Sequence, residues 1–125
     1  MPSTLPGKSL VVVRFVLGPL SWFAPRFFMA AIGLDPRSNP QAAYMSRLFG
    51  VRDLTLGLGL VATRGSARRL WWRLGILCDL GDAAAGAVSA RRGELPAGDR
   101  TLILFTGAGL VGAALGAAAL HSDDV

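Results

Sequence analysis

The stretch AAYMSRLFGVRDLTLGLGLVAT, residues 42–63, is as long and nearly as apolar as a helix that crosses a lipid bilayer, yet it contains Arg47, Arg52 and Asp53. A formal charge in hydrocarbon costs at least about 2.5–3.5 kcal/mol on insertion scales, so such residues normally face the inside of a helix bundle. Three further charges lie in other apolar stretches: Arg14, Asp79 and Asp82. With three positive and three negative members, the set is expected to neutralise itself inside the protein.

The apolar residues of the whole chain are grouped into four blocks. The chain has 125 residues, of which 52% are hydrophobic, and its mean hydropathy is +0.47. Each block is about 20 residues long, which matches a hydrocarbon layer roughly 30 Å thick, and a soluble domain would instead alternate polar and apolar faces. We therefore predict one domain over 1–125: an all-α, four-helix transmembrane bundle of up-down-up-down topology in the cell membrane. The expected spans are about 9–24, 42–63, 70–90 and 101–120.

Local signals refine these helices. Ser9 is the expected N-cap of the first span and Ser66 that of the third, and Pro19 is expected to kink the first span. Residues 25–34 predict a short amphipathic helix at the membrane interface. Because Arg14 interrupts the first apolar run, we expect a retained helix rather than a cleaved signal peptide. The third loop is predicted at 91–99 and a polar tail at 121–125.

Composition also excludes several classes of function. The net charge is +5, but the basic residues gather at block ends, as in membrane proteins, so a lipid bilayer and not nucleic acid is the expected partner. Cys78 and His121 are the only residues of their types, so no metal site is expected, and no cofactor motif is recognised. The basic residues of alternate loops tie at five each, which leaves the orientation open with a slight preference for cytoplasmic termini.

Helix geometry places some of the charges at matching depths. Arg52 lies roughly 15 Å along its span and Asp79 roughly 14 Å along the next, antiparallel one. The sequence thus predicts an Arg52–Asp79 pair, with Asp82 reaching Arg52 or Arg47 because it shares a helix face with Asp79. Asp53 points elsewhere, towards the first span.

Arg14 is the expected partner of Asp53 on the first span. Arg14 and Arg47 each lie about five residues inside a predicted helix end, so either could instead extend to the membrane surface. Such ion pairs either only set the register of the helices or line a polar pocket.

Small residues recur in the fourth span, where Gly112 and Gly116 form a small-xxx-small face. Such a face allows two helix backbones to approach closely. Packing within the chain is one interpretation, and a homodimer through this face is the other.

The motif RLFGVRDLTLGLG at 47–59, followed by Asp79 and Asp82, resembles a family of small, mostly actinobacterial and fungal four-helix membrane proteins catalogued as a domain of unknown function. The Ala24-Pro25-Arg26 segment is similar as well. The resemblance implies a four-helix membrane bundle over most of the chain. It implies no activity and no site residues.

Three functions remain open from the residues alone. The first is acid–base catalysis on a small lipophilic substrate, such as epoxide opening, isomerisation or cyclisation, with Asp79 as base, Asp82 or Asp53 as acid and Arg52 orienting them. Arg47, Tyr44 and Arg14 are then the expected substrate-binding residues. The second is a proton-coupled transporter, since intramembrane aspartates are typical proton relays. The third is a non-catalytic scaffold or subunit whose ion pairs only register the helices.

Overall fold

The computed structural model describes residues 1–96 and 100–122, and these residues form five α-helices and no strand. Part of the predicted third loop (97–99) and of the predicted tail (123–125) lies outside the described residues. The all-helical prediction is confirmed. The helices are α1 Leu5–Phe23, α2 Pro25–Ala31, α3 Ala42–Ala62, α4 Gly65–Arg91 and α5 Arg100–Ser122.

Helix α1 begins earlier than predicted. Its N-cap is Thr4, whose hydroxyl accepts a hydrogen bond from the Gly7 backbone N–H at 3.3 Å; the predicted Ser9 cap is wrong because Ser9 lies within the helix. Pro19 lies inside a continuous helix. The sharp change of direction, 115° between α1 and α2, occurs at Ala24, where the following Pro25 disfavours helical backbone; a kink at Pro19 stays a prediction.

Helix α4 also begins earlier than predicted. Its N-cap is Arg64, without a side-chain hydrogen bond, so the predicted Ser66 cap is wrong. Gly65 adopts a φ of +56° at the first position, a conformation that glycine tolerates without steric cost. A two-residue connection from α3 is therefore sufficient. As a result, α4 begins about one helical turn before the predicted span 70–90.

Helix α2 packs onto the start of α3. Phe28 and Met29 are buried together with Ala42, and the rings of Phe28 and Phe49 stack with centroids 5.5 Å apart. The short helix therefore contributes side chains to the hydrophobic core. The predicted position at the membrane interface did not imply this burial.

The loop between α2 and α3 is organised by one carboxylate. Asp35 accepts hydrogen bonds from the Ser38 hydroxyl and from the backbone N–H groups of Arg37 and Ser38. These bonds favour the charged form, so they lower the pKa of Asp35, with the Ser38 hydroxyl as the main cause. The loop therefore has a defined conformation next to the start of α3.

The long helices pack as two close pairs, α1 with α3 and α4 with α5, and the pairs are joined mainly by α1 against α5. Contacts along the first pair run in opposite directions: Ser46 donates to the Ser21 carbonyl at 2.8 Å, while Gly50 faces Gly18. In the second pair Gly112 faces Asp79 and Gly109 faces Ala83. Between the pairs, Gly59 of α3 faces Trp71 of α4, and Arg52 of α3 binds Asp82 farther along α4. Each long helix is therefore antiparallel to the next one in the chain.

Only part of this fold has the length and composition of a membrane span. Among the described helices, α5 alone is long and apolar enough to span a bilayer, and α1 with α2 meets the same criterion as one bent unit. Helices α3 and α4 occupy the predicted positions, but they contain too many charges for that criterion. One or two helices therefore have the composition of a span.

Glycine sets the distance between α1 and α3. A Cβ on Gly50 would lie 2.6 Å from the Gly18 carbonyl oxygen and 3.2 Å from the Trp22 backbone nitrogen. Both are main-chain atoms, which cannot move aside as a flexible side chain could. A residue larger than glycine must therefore separate the two helices.

We expect Gly50→Ala to lower the free energy of unfolding by about 1–3 kcal/mol, the usual range for overpacking. Gly81→Ala is the matched control, because a Cβ added there would meet no atom within 4 Å; alanine at this position should be neutral or slightly stabilising. Unfolding of the purified protein in mixed micelles measures both, and equal effects would contradict the close approach.

Candidate functional site

A single arginine side chain joins three helices at the centre of the structure. Arg14 of α1 donates from one terminal nitrogen, Nη1, to Asp53 Oδ1 of α3 at 2.9 Å, and from the other, Nη2, to Asp79 Oδ2 of α4 at 2.8 Å. The Arg14 side chain is only 3% exposed. A planar guanidinium suits this role because its donors form a rigid fork, which a lysine ammonium does not provide.

A second arginine lies beside this centre. Arg52 Nη1 and Nη2 bind the two carboxylate oxygens of Asp82 at 2.6 and 2.7 Å, and Arg52 Nη2 lies 3.5 Å from Asp53 Oδ1. The Arg52 and Asp82 side chains are about a quarter exposed. Through Asp53 the two ion-pair systems form one charge cluster, which we define as Arg14, Arg52, Asp53, Asp79 and Asp82.

The cluster corrects the predicted pairing. Arg52 binds Asp82 and not Asp79, so the predicted Arg52–Asp79 pair is wrong, whereas the expected contacts of Asp82 with Arg52 and of Asp53 with Arg14 are present. Depth alone does not select partners, because the direction of each side chain around its helix also matters. Arg14 does not extend to the surface, as one alternative had it; it is the most buried charge of the cluster.

Two predicted substrate-binding residues lie apart from the cluster. Arg47 and Tyr44 are exposed on α3, and neither lines the two cavities described below. Successive residues are rotated by about 100° around a helix, so positions 47 and 52 point in different directions. Arg47 therefore does not offset the charges of the cluster.

Glycines make room for the buried charges. A Cβ on Gly112 would lie 2.7 Å from Asp79 Oδ2, and one on Gly75 would lie 3.1 Å from Arg14 Nη2. Gly116 faces Ile76 of α4 in the same way. The Gly112–Gly116 face is therefore occupied within the chain, as the first interpretation expected, and a homodimer through it stays a prediction.

A cavity of about 320 Å³ opens on the cluster; we call it the Arg14 cavity. Its polar wall consists of Arg14, Asp53, Asp79 and Asp82, and the rest is apolar side chains and glycine. The apolar wall includes Leu10, Val13, Leu17, Phe28, Ile32, Phe49, Leu104, Phe105, Val111 and Leu115. An apolar space with a few convergent polar groups is the usual form of a small-molecule site.

A second cavity, of about 480 Å³, adjoins the first; we call it the Arg52 cavity. Phe28, Phe49, Phe105 and Asp82 line both cavities, so they form the shared wall. Asn39 and Gln41, from the loop before α3, add polar groups to the Arg52 cavity. The Arg52–Asp82 pair therefore lies where the two spaces meet.

The cluster is not fully satisfied by its own hydrogen bonds. The Nε atoms of Arg14 and Arg52 are buried, and among the described residues neither has a hydrogen-bond partner. Among the described residues Asp79 accepts hydrogen bonds through Oδ2 alone and Asp53 through Oδ1 alone, while both oxygens of Asp82 are engaged. A molecule in the Arg14 cavity thus meets a carboxyl group with an unused oxygen, held in place by a fixed cation.

The chemistry available to such a group is proton transfer. Two carboxyl groups that share one arginine can differ in protonation, so one can donate a proton while the other accepts one. Sequence reasoning found the three aspartates and Arg52. It predicted Arg14 as the partner of Asp53 and as a substrate-binding residue; the contact with Asp53 is present, and the contact with Asp79 was not predicted.

We expect Arg14→Gln to lower the free energy of unfolding by about 3–5 kcal/mol, because it leaves two buried carboxyl groups without their cation. Arg47→Gln is the matched control: Arg47 is exposed and outside the cluster, and its loss should change stability by no more than about 0.5 kcal/mol. Unfolding in mixed micelles compares the two variants. Equal stabilities would show that the Arg14 side chain does not hold the three helices together.

No family model, curated protein or solved structure matches this chain. The function is therefore argued from the geometry of the cluster and its cavities.

Proposed function

We propose that the protein is embedded in a lipid bilayer through all four long helices. The supporting observation is the distribution of side chains, which is opposite to that of a water-soluble protein. Charged Arg14, Asp53 and Asp79 are buried, while large apolar side chains are exposed along the middle of the helices, among them Val16, Val51, Leu77, Leu110 and Val111. Apolar surface of this extent marks contact with a membrane or a partner.

Within that setting we propose that the protein is an enzyme that performs acid–base chemistry on a small lipophilic molecule. The observation that carries the proposal is the Asp53–Arg14–Asp79 group in the polar wall of an otherwise apolar cavity. The cavity suits a substrate with an apolar body and one oxygen function. Such a substrate partitions into the membrane and reaches the cluster from there.

The residues have distinct roles in this proposal. Arg14 fixes the two carboxyl groups and remains charged throughout. In epoxide opening, one carboxyl group gives a proton to the ring oxygen as its C–O bond breaks, and the other removes a proton from the water molecule whose oxygen forms the new bond to that carbon. In isomerisation, one carboxyl group protonates the carbonyl oxygen while the other removes a proton from the carbon between the carbonyl and the double bond. The resulting dienol takes that proton back at its γ carbon and returns the oxygen proton to the first carboxyl group, which leaves the shifted double bond. Epoxide opening and double-bond isomerisation both fit this exchange, in which one proton is donated and one is accepted.

The membrane proposal is tested by labelling single cysteines in a Cys78→Ser background. We expect cysteines at Val51, Leu77 and Leu110 to be inaccessible to a polar maleimide in intact membranes but reactive in SDS, because these mid-helix positions face lipid. A cysteine at exposed Gly93, after α4, should be labelled from one side. Rapid labelling at the three mid-helix positions, or a protein that stays in solution without detergent, would reject embedding by four helices.

The catalytic proposal is tested with two probes, a long-chain terminal epoxide and a β,γ-unsaturated ketone, incubated with the purified protein in lipid nanodiscs. We expect conversion of at least one probe, and a loss of about 100-fold or more in Asp53→Asn and Asp79→Asn, which is typical when a general acid or base is removed.

Glu94→Gln is the control for this experiment, since Glu94 is an exposed carboxylate outside both cavities. Its activity should equal that of the unmodified protein. Conversion that persists in both Asp53→Asn and Asp79→Asn, or no conversion of either probe, would contradict the proposal. The second result would favour a carrier or a scaffold instead.

A further inference from the structure

The charge cluster does not balance when every group is ionised. It contains two guanidinium groups and three carboxylates, which leaves one excess negative charge. The sequence counted three charges of each sign, but Arg47, the sixth, is exposed and contacts none of the others among the described residues. The excess is therefore a property of the folded arrangement.

An uncompensated charge is costly at this position. Arg14, Asp53 and Asp79 are all less than a tenth exposed, and apolar side chains surround the cavity next to them. Buried carboxylates without a partner generally become neutral by taking up a proton. A bound cation would have the same effect, but no group of three acidic, histidine or cysteine side chains among the described residues is arranged to hold a metal ion.

We propose that the cluster holds one proton when the cavity is empty and that Asp79 carries it. The pairing pattern selects this residue. Asp82 has a guanidinium to itself, bound through both oxygens at 2.6 and 2.7 Å. Asp53 Oδ1 accepts from Arg14 at 2.9 Å and lies 3.5 Å from a second guanidinium, that of Arg52. From the described residues Asp79 accepts one hydrogen bond, and it shares the donor, Arg14, with Asp53.

The surroundings of Asp79 agree with this assignment. Arg14 faces it from α1, Asp53 and Arg52 lie beyond on α3, and Asp82 lies one turn along its own helix, α4. On the remaining side α5 presents Gly109 and Gly112, which bring no charge. Asp79 Oδ1 accepts no hydrogen bond from the described residues, so it is available to bear the proton while Oδ2 stays bound to Arg14.

The inference rests on the proposed function only in the use of the proton: a neutral Asp79 is the acid and an ionised Asp53 the base. This reverses the role predicted for Asp79 from the sequence. The proton comes from water as the cluster assembles, and the cluster then has two charges of each sign.

Infrared spectroscopy of the protein in lipid nanodiscs tests the proton directly, because a carboxylic acid has a C=O stretch that a carboxylate lacks. At neutral pH we expect one such band from a buried group. Asp79→Glu retains the charge count and should move the band, whereas Asp53→Glu should leave it in place. Asn at any of the three aspartates should abolish it, since the charges then balance without a proton.

Absence of the band in the unmodified protein would overturn the proposal, and a band moved by Asp53→Glu alone would overturn the assignment to Asp79.

A stability measurement gives a second readout if a glutamate does not fit beside Gly112. Asparagine resembles a protonated aspartate in charge and size, so Asp79→Asn should unfold at nearly the same temperature as the unmodified protein. Asp82→Asn, which removes a doubly bound carboxylate, should unfold at a lower temperature. The reverse order would overturn the assignment. Neither readout requires a substrate, so inactivity towards the epoxide and the ketone would reject the proposed function and leave the proton in place.

Discussion

The contact on which the structure depends is the fork of Arg14 between Asp53 and Asp79. One guanidinium reaches α3 through one nitrogen and α4 through the other, so it fixes both helices relative to α1. A shift of one residue along any of them changes depth by about 1.5 Å and direction by about 100°, which breaks the bond. A group buried to this degree cannot replace the lost partner with water, and the register of three helices is therefore specified by one side chain.

The small residues follow from the same constraint. Gly75 lies against the guanidinium and Gly112 against the Asp79 carboxyl, since the charges fit between the helices only where neighbouring positions lack a side chain. Gly18 and Gly50 bring α1 and α3 together beyond the fork. The glycine-rich helix faces therefore leave room for the buried ion pairs, and they also allow the helix backbones to pack closely.

The helices themselves could be predicted from the sequence, because block length and turn residues are local properties. The contact of Asp82 with Arg52 was one of the two that the sequence allowed, but the depth match of Arg52 with Asp79 did not identify the partner. The sequence left open whether Arg14 meets Asp53 or extends to the surface, and the start of α1 bears on this choice: because the helix is capped by Thr4 and not Ser9, Arg14 lies about one turn farther from the helix end than expected. The pairing of Arg52 and the exposure of Arg47 depend on how each helix is rotated, and a hydrophobic pattern that is nearly uniform around the helix does not record rotation.

If the ion pairs served only to fix the register of the helices, every buried charged group would be expected to have all its hydrogen-bond partners. Asp82 and Arg52 come close to that condition, with two short bonds between them. The Asp79 carboxyl does not: within the described part of the chain it has one bond, to a shared partner, and the buried Nε of Arg14 has none. Incomplete pairing of buried polar groups lowers stability, and native proteins retain such losses mainly at functional sites. Here the incompletely paired carboxyl belongs to the wall of an apolar cavity, the place where a proton could be passed to a bound molecule. The coincidence of the two features favours chemistry over architecture as the role of this cluster.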